Sequence, residues 1–237
     1  SHSILRQAGA RLVKAPVDGR TAHYYRQLTR MSAAFAFVSD LVLLLFGGSF
    51  KFKEKISGRL ADALSHLYIA SAVLKQFEDD GRPKDDHALV HWAMRDSLVR
   101  IQDALINTLR NFPAPWLGQV VKWLIFPLGH PYKVPSDTLG KHVAQVLITR
   151  NPARERLLSG IYRSDGDDAT GLLHRAFEKV LDAAPVEKKL KQGLGVTPGL
   201  NDFEPLVVQG VSQGIISAEE GQLLQDAMGL VSEVIQV

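Results

Sequence analysis

Apolar residues recur along this chain at spacings of three, four and seven, the period of a helix with one buried face. From Ile56 the row runs through Leu60, Leu64, Leu67, Ser71 and Leu74, with Ala63, Ala70 and Phe77 widening it. That stripe predicts one long amphipathic helix. Glu78-Asp79-Asp80-Gly81-Arg82-Pro83 ends it, because Gly accepts a left-handed cap conformation and Pro forbids continuation. A second row, Val90, Met94, Leu98, Ile101, Leu105, Leu109 and Phe112, predicts a helix that starts near Asp85 or Asp86, whose carboxylates suit the orphan amides of a first turn. Two long helices joined by a short polar turn pack antiparallel. No run alternates apolar and polar residues as a half-buried strand does, so the expected fold class is all-α: a bundle of long antiparallel helices followed by shorter ones.

The longest apolar stretch, Met31 to Phe46, contains Ser32, Ser39 and Asp40 and falls short of the roughly 20 apolar residues that cross a bilayer. It is expected to be a buried core helix. After Asn111-Phe112-Pro113-Ala114-Pro115 comes a short segment, Trp116 to Leu128, that is apolar nearly all round and needs a cover. A helix is expected from Asp137 to Thr149, and Asn151-Pro152 opens another with Asn as cap and Pro at the first helical position. Leu172, Leu173, Ala176, Phe177, Val180, Leu181 and Ala184 trace a further helix beyond an acidic loop, Ser164 to Gly171. Gly193 to Gly199 reads as a linker, and Ser217-Ala218-Glu219-Glu220 as a capping box that starts the last helix. The expected organisation is a main bundle over 1–130, shorter helices packing on it over 131–198, and a C-terminal helical segment over 199–237.

Composition narrows the chemistry. The 28 basic and 25 acidic residues are interspersed, unlike the one-sided basic face of a nucleic-acid binder. There is no cysteine, hence no disulfide framework and no thiolate metal site. His87 and His91 share a helix face, but two ligands are too few for zinc. Asp165, Asp167 and Asp168 lack the alternating ligands and terminal glutamate of a calcium loop. Phe46-Gly47-Gly48-Ser49-Phe50 has the glycines of an anion-binding loop, yet it follows a helix, which makes a helix-ending turn the expectation. No nucleophile elbow, phosphate loop or dinucleotide fingerprint occurs. Ser1-His2-Ser3 has neither an initiator methionine nor a leader pattern, as expected for the cut end of a longer chain.

Several stretches resemble the C-terminal extension of bacterial long-chain acyl-coenzyme A dehydrogenases. They are Gln27 to Val38 (QLTRMSAAFAFV), Arg59 to Tyr68 (RLADALSHLY), Leu89-Val90-His91-Trp92, Leu124 to Gly129 (LIFPLG), Pro135-Ser136-Asp137, Gly171-Leu172-Leu173 and Gly214-Ile215-Ile216-Ser217, in order along nearly the whole chain. Arg59 to Tyr68 is also similar to the extension helix of very-long-chain acyl-coenzyme A dehydrogenases, where the extension is implicated in membrane association.

The resemblance implies a parent flavoenzyme that binds FAD, oxidises long-chain acyl-CoA to trans-2-enoyl-CoA in fatty-acid β-oxidation and passes electrons to an electron-transfer flavoprotein. It implies that the catalytic glutamate and flavin domain lie N-terminal to this segment, so no catalytic, cofactor or metal residue is expected here, and neither Glu54 nor Glu78 is promoted. The implied partners are those catalytic domains and a second copy in a homodimer, in the bacterial cytoplasm or peripheral to the inner membrane. Met31 to Phe46 and part of Ile56 to Phe77 are the expected docking face. Trp116, Leu117, Val120, Lys122, Trp123, Leu124 and Phe126 are the candidate membrane or interface contacts, with plain core packing as the alternative. A free-standing helical interaction module without catalysis is the other reading.

Overall fold

A computed structural model describes residues 19, 21–162, 164, 166, 168–196 and 203–236. Within them are α1 (Ala22–Phe46), α2 (Glu54–Asp79), α3 (His87–Leu109), α4 (Pro115–Ile125), α5 (Asp137–Leu147), α6 (Pro152–Leu158), α7 (Ala169–Leu194), α8 (Phe203–Ser212) and α9 (Ala218–Gln236). No strand occurs among the described residues, so the fold is all-α. Ser1-His2-Ser3, Asp165, Asp167 and Thr197-Pro198-Gly199 lie outside them. The chain divides into two compact units between Glu155 and Arg156.

In the first unit, α2 and α3 form the antiparallel pair that the two apolar rows predict, and α1 lies against both. Met31, Ala34, Val38 and Val42 of α1, Ala63, Ala70 and Leu74 of α2, and Met94, Ile101 and Leu105 of α3 are wholly excluded from solvent. Their spacing of three and four is what lets three helices share one core. The α1 helix begins well before its apolar run, because Tyr24 and Leu28 carry the buried stripe back toward Thr21. At that end the Thr21 hydroxyl donates to Glu78 Oε1 at 3.2 Å, tying the start of α1 to the end of α2.

Gly47 (φ +49°) ends α1, a 3-10 turn Gly47–Phe52 follows, and the Ser49 hydroxyl donates to the Phe46 carbonyl at 2.6 Å. The Gly pair is therefore a helix-ending turn. The stretch Ala22–Phe52 is long and apolar enough to cross a membrane by length and composition, and only 17% of its most apolar window is buried. One face of α1 is core, as expected of Met31 to Phe46. The rest is not, and Leu43 and Leu44 stand 55% and 78% exposed.

Elsewhere the local signals resolve as follows. Asp86 makes no side-chain cap, since a 3-10 turn, Lys84–Asp86, leads into α3 and holds Asp86 in a helical rather than extended conformation. Pro115 opens α4, and Gly118 lets it approach α3: a Cβ there would lie 2.1 Å from the Leu109 carbonyl oxygen. Ser136 caps α5 by accepting from Leu139 N at 3.3 Å, and Asn151 Oδ1 accepts from Arg154 N at 2.9 Å at the start of α6.

In the second unit, α7 outruns its predicted end. It passes through Pro185 to Leu194 and stops at Gly195 (φ +69°). Ala183, Val186 and Leu190 bury against Phe203 and Val207 of α8 and Leu224 and Ala227 of α9, and that packing offsets the one hydrogen bond a proline removes. Gly210 sits where a Cβ would lie 2.2 Å from Leu190 Cδ1. The capping box forms as read: Ser217 N donates to Glu220 Oε2 at 2.8 Å, and Glu220 N to Ser217 Oγ at 3.1 Å.

Candidate functional site

In the first unit, α1 and α2 do not fill the space along their seam. Along the seam of α1 and α2 runs an open groove of about 870 Å³, walled by Tyr25, Leu28 and Phe35 on one side and Leu64, Leu67 and Tyr68 on the other. Thr29, Ser32, Ala33 and Ala36 face it from α1, and these short side chains leave α1 with an unfilled flank. Leu64 and Tyr68 are 54% and 76% exposed. The apolar row had placed Leu64 in the core with Leu60, Leu67 and Leu74; those three are buried, and Leu64 turns to the groove rim.

The groove is suited to apolar packing and not to a dinucleotide. FAD carries a pyrophosphate, which calls for basic side chains or the free amides of a helix N-terminus. No Lys or Arg lines the groove, and its residues sit in helix interiors, where the amides are already bonded within the helix. The FAD of the sequence resemblance does not fit here.

A second exposed surface belongs to α4. Gly118, Val121 and Ile125 face the bundle, while Trp116 (69%), Val120 (58%), Trp123 (72%) and Leu124 (47%) face outward. Leu117 and Lys122 are half-buried at the edges of that face. The core alternative thus fails for the tryptophans. Phe126 is a correction in the other direction: it is 1% exposed and cannot contact a partner, because the chain leaves the helix there and turns this ring into the core. Arg30 fixes the helix end by donating from Nη2 to the Ile125 carbonyl at 2.5 Å.

The two histidines take structural places. The His87 ring meets Phe77 edge-on with centroids 5.1 Å apart, and His91 Nδ1 is hydrogen-bonded to the Tyr24 hydroxyl. Together with Thr21 and His23 they line a small cavity of about 380 Å³. Burial pushes the Tyr24 phenol up to about 12, against the opposing pull of Arg95. The same burial, reinforced by Arg95 and His23, holds the His91 imidazole below its usual value. No group of three or more metal-binding side chains occurs among the described residues.

The remaining acids also have local roles. Asp168 caps α7, accepting from Gly171 N at 2.8 Å and Thr170 Oγ1 at 2.6 Å. Bonds from Ser164 first, and then from Thr170 and Gly171, lower its carboxyl to about 2. Glu78 accepts from Arg82 Nε at 2.5 Å as well as from Thr21, and Glu54 stands in the first turn of α2.

What the arrangement offers is two apolar surfaces, with no group of three or more metal-binding side chains among the described residues. Sequence periodicity locates the helices that carry both, but the groove itself arises from side-chain size on α1, which no spacing rule reports. A protein-family model described as acyl-CoA dehydrogenase, C-terminal, bacterial type, matches residues 2–237. No solved structure matches the chain.

Proposed function

Since the chain belongs to the bacterial-type C-terminal family of acyl-CoA dehydrogenases, we propose that it is the accessory domain through which its parent enzyme is assembled. The observation that carries this reading is the α1/α2 groove. Its walls are apolar, its floor is made of small side chains, and its rim residues Leu64 and Tyr68 face solvent when the domain stands alone. A helical catalytic body can bury such a face within the same chain, where smaller enzymes cover theirs with further subunits. Apolar burial contributes roughly 25 cal/mol per Å², so even a modest contact holds.

On this reading the parent is an FAD enzyme that oxidises long-chain acyl-CoA to the trans-2-enoyl thioester in β-oxidation, as a homodimer that delivers electrons to an electron-transfer flavoprotein in the bacterial cytoplasm. The chemistry belongs to its catalytic domains, and this domain supplies the cover and the docking face. Deleting residues 22–125 from the parent should expose apolar surface and change the number of subunits per particle, read from its sedimentation mass; the same number of subunits as in the intact enzyme would count against the assembly role.

A second surface supports a second role. The outward face of α4, with Trp116, Val120, Trp123 and Leu124 and with Lys122 at its edge, has the composition of an interfacial helix and suits contact with lipid at the inner membrane. Liposome flotation of the Trp116→Ala/Trp123→Ala variant tests it: reduced flotation supports the role, and flotation equal to that of the unaltered chain removes it.

A further inference from the structure

Where α1 and α3 begin, the first unit holds a positive charge that no carboxylate answers. Arg95 stands on α3 one turn beyond His91 and is half-buried. Its guanidinium is near enough to act on both the Tyr24 phenol and the His91 imidazole. Among the described residues it takes part in no ion pair and its side chain makes no hydrogen bond. A guanidinium presents five N–H donors, so a half-buried one without a protein acceptor is suited to an acceptor supplied from outside.

The cavity of about 380 Å³ beside it has the matching lining. Thr21, His23 and Tyr24 of α1 and His87 and His91 of α3 border it, so three imidazoles and two hydroxyl-bearing side chains share one space that no acid lines. The acids at this end are engaged elsewhere: Glu78 accepts from Thr21 and Arg82, and Asp86 is not free either. His91 registers the local field, because burial first and then the charges of Arg95 and His23 hold its imidazole below its usual value. Its Nδ1 is committed to the Tyr24 hydroxyl, which leaves Nε2 as the ring atom open to a ligand.

We propose that this cavity binds a tetrahedral oxyanion, either free phosphate or the phosphate of a small phosphomonoester, with Arg95 supplying the fixed charge and His23, His87 and His91 the titrating donors. A guanidinium offers paired N–H groups to two oxygens of a phosphate, and an imidazole takes up a proton as the anion arrives. Size agrees with that class, since a halide would leave most of about 380 Å³ empty. A bound anion also offsets the repulsion that His91 meets from Arg95 and His23, so binding draws protons in.

Thermal unfolding of the 237-residue chain in potassium phosphate, against potassium chloride of equal ionic strength, tests it. Phosphate should raise the midpoint above the chloride control, and Arg95→Met should weaken the apparent affinity at least about tenfold. Because Arg95 has no protein partner, the same variant should keep the phosphate-free midpoint, which the loss of a structural arginine would lower. The imidazole NMR resonances of the unaltered chain give a readout that needs no variant: those of His91 should move as phosphate is added. Sulfate, whose charge is constant over the range, should bind more tightly near about pH 6 than near about pH 8. Glycerol 3-phosphate binding more tightly than inorganic phosphate assigns the site to a phosphate ester, and binding no tighter assigns it to the free anion. No midpoint rise over chloride, or stationary His91 resonances, overturns the proposal. A rise that Arg95→Met retains in full places the anion elsewhere and overturns it as well, and equal sulfate affinity at the two pH values removes the histidines from the site.

Discussion

The side-chain amide of Gln102 exchanges two hydrogen bonds with the backbone of Tyr132: Oε1 accepts from Tyr132 N at 3.1 Å and Nε2 donates to Tyr132 O at 3.3 Å. Gln102 is 2% exposed on α3, and its partner lies in the irregular connection between α4 and α5. One buried amide thus does for that connection what a neighbouring strand does in a sheet. Replacing it with an apolar isostere leaves both backbone groups without partners. Gln102→Leu should destabilise the first unit by about 2 kcal/mol in urea denaturation, and an unchanged midpoint would show that the connection is held by other means.

Two helical glycines should respond to alanine with opposite signs. Gly118 has the Leu109 carbonyl oxygen 2.1 Å from where a Cβ would sit, while Gly58 of α2 has nothing within 4 Å. Gly118→Ala must push α4 away from α3, at a cost of about 1–3 kcal/mol. Gly58→Ala should raise stability by roughly 0.5–1 kcal/mol, because alanine is the better helix former. Thermal unfolding of the pair, measured side by side, checks both signs.

His91 gives the stability a pH dependence. Its imidazole is held below the ordinary 6.5 by burial first and by the cationic Arg95 and His23 next, so the unfolded chain takes up this proton at a higher pH than the folded one. Stability then rises with pH across that window, and it declines as pH falls below 6.5 and through the folded-state value. Urea midpoints of the unaltered chain should decrease between about pH 7 and about pH 5, with a shallower decrease in His91→Gln. Equal slopes in the two proteins would exclude His91 as a source.

Much of this architecture can be read in the sequence. Val90, Met94, Leu98, Ile101, Leu105 and Leu109 form one row on α3, Phe112 continues it just past the helix end, and all seven are buried. Gly81-Arg82-Pro83 and Ser217 to Glu220 mark a helix end and a helix start through backbone chemistry that is local, and local chemistry is legible. Signals that depend on distant packing are not. Leu64 keeps the period of Leu60 and Leu67 yet faces the groove, because the flank of α1 opposite it carries Ser32, Ala33 and Ala36. Pro185 would end a helix in isolation, but Val186 and Leu190 pack against α8 and α9 and carry α7 onward. The candidate surface was legible as residue types and not as direction: Trp116 and Trp123 point out, and Phe126 points in.

The account depends on the α1/α2 groove being covered in the parent dehydrogenase, and hydroxyl-radical footprinting of Tyr68 tests that most directly. This ring is 76% exposed at the groove rim in the isolated domain. Strong oxidative labelling of Tyr68 in the isolated domain, with several-fold protection in the intact enzyme, is the predicted result. Labelling at the same rate in both would show that the catalytic body leaves the groove open, and would contradict the assembly role.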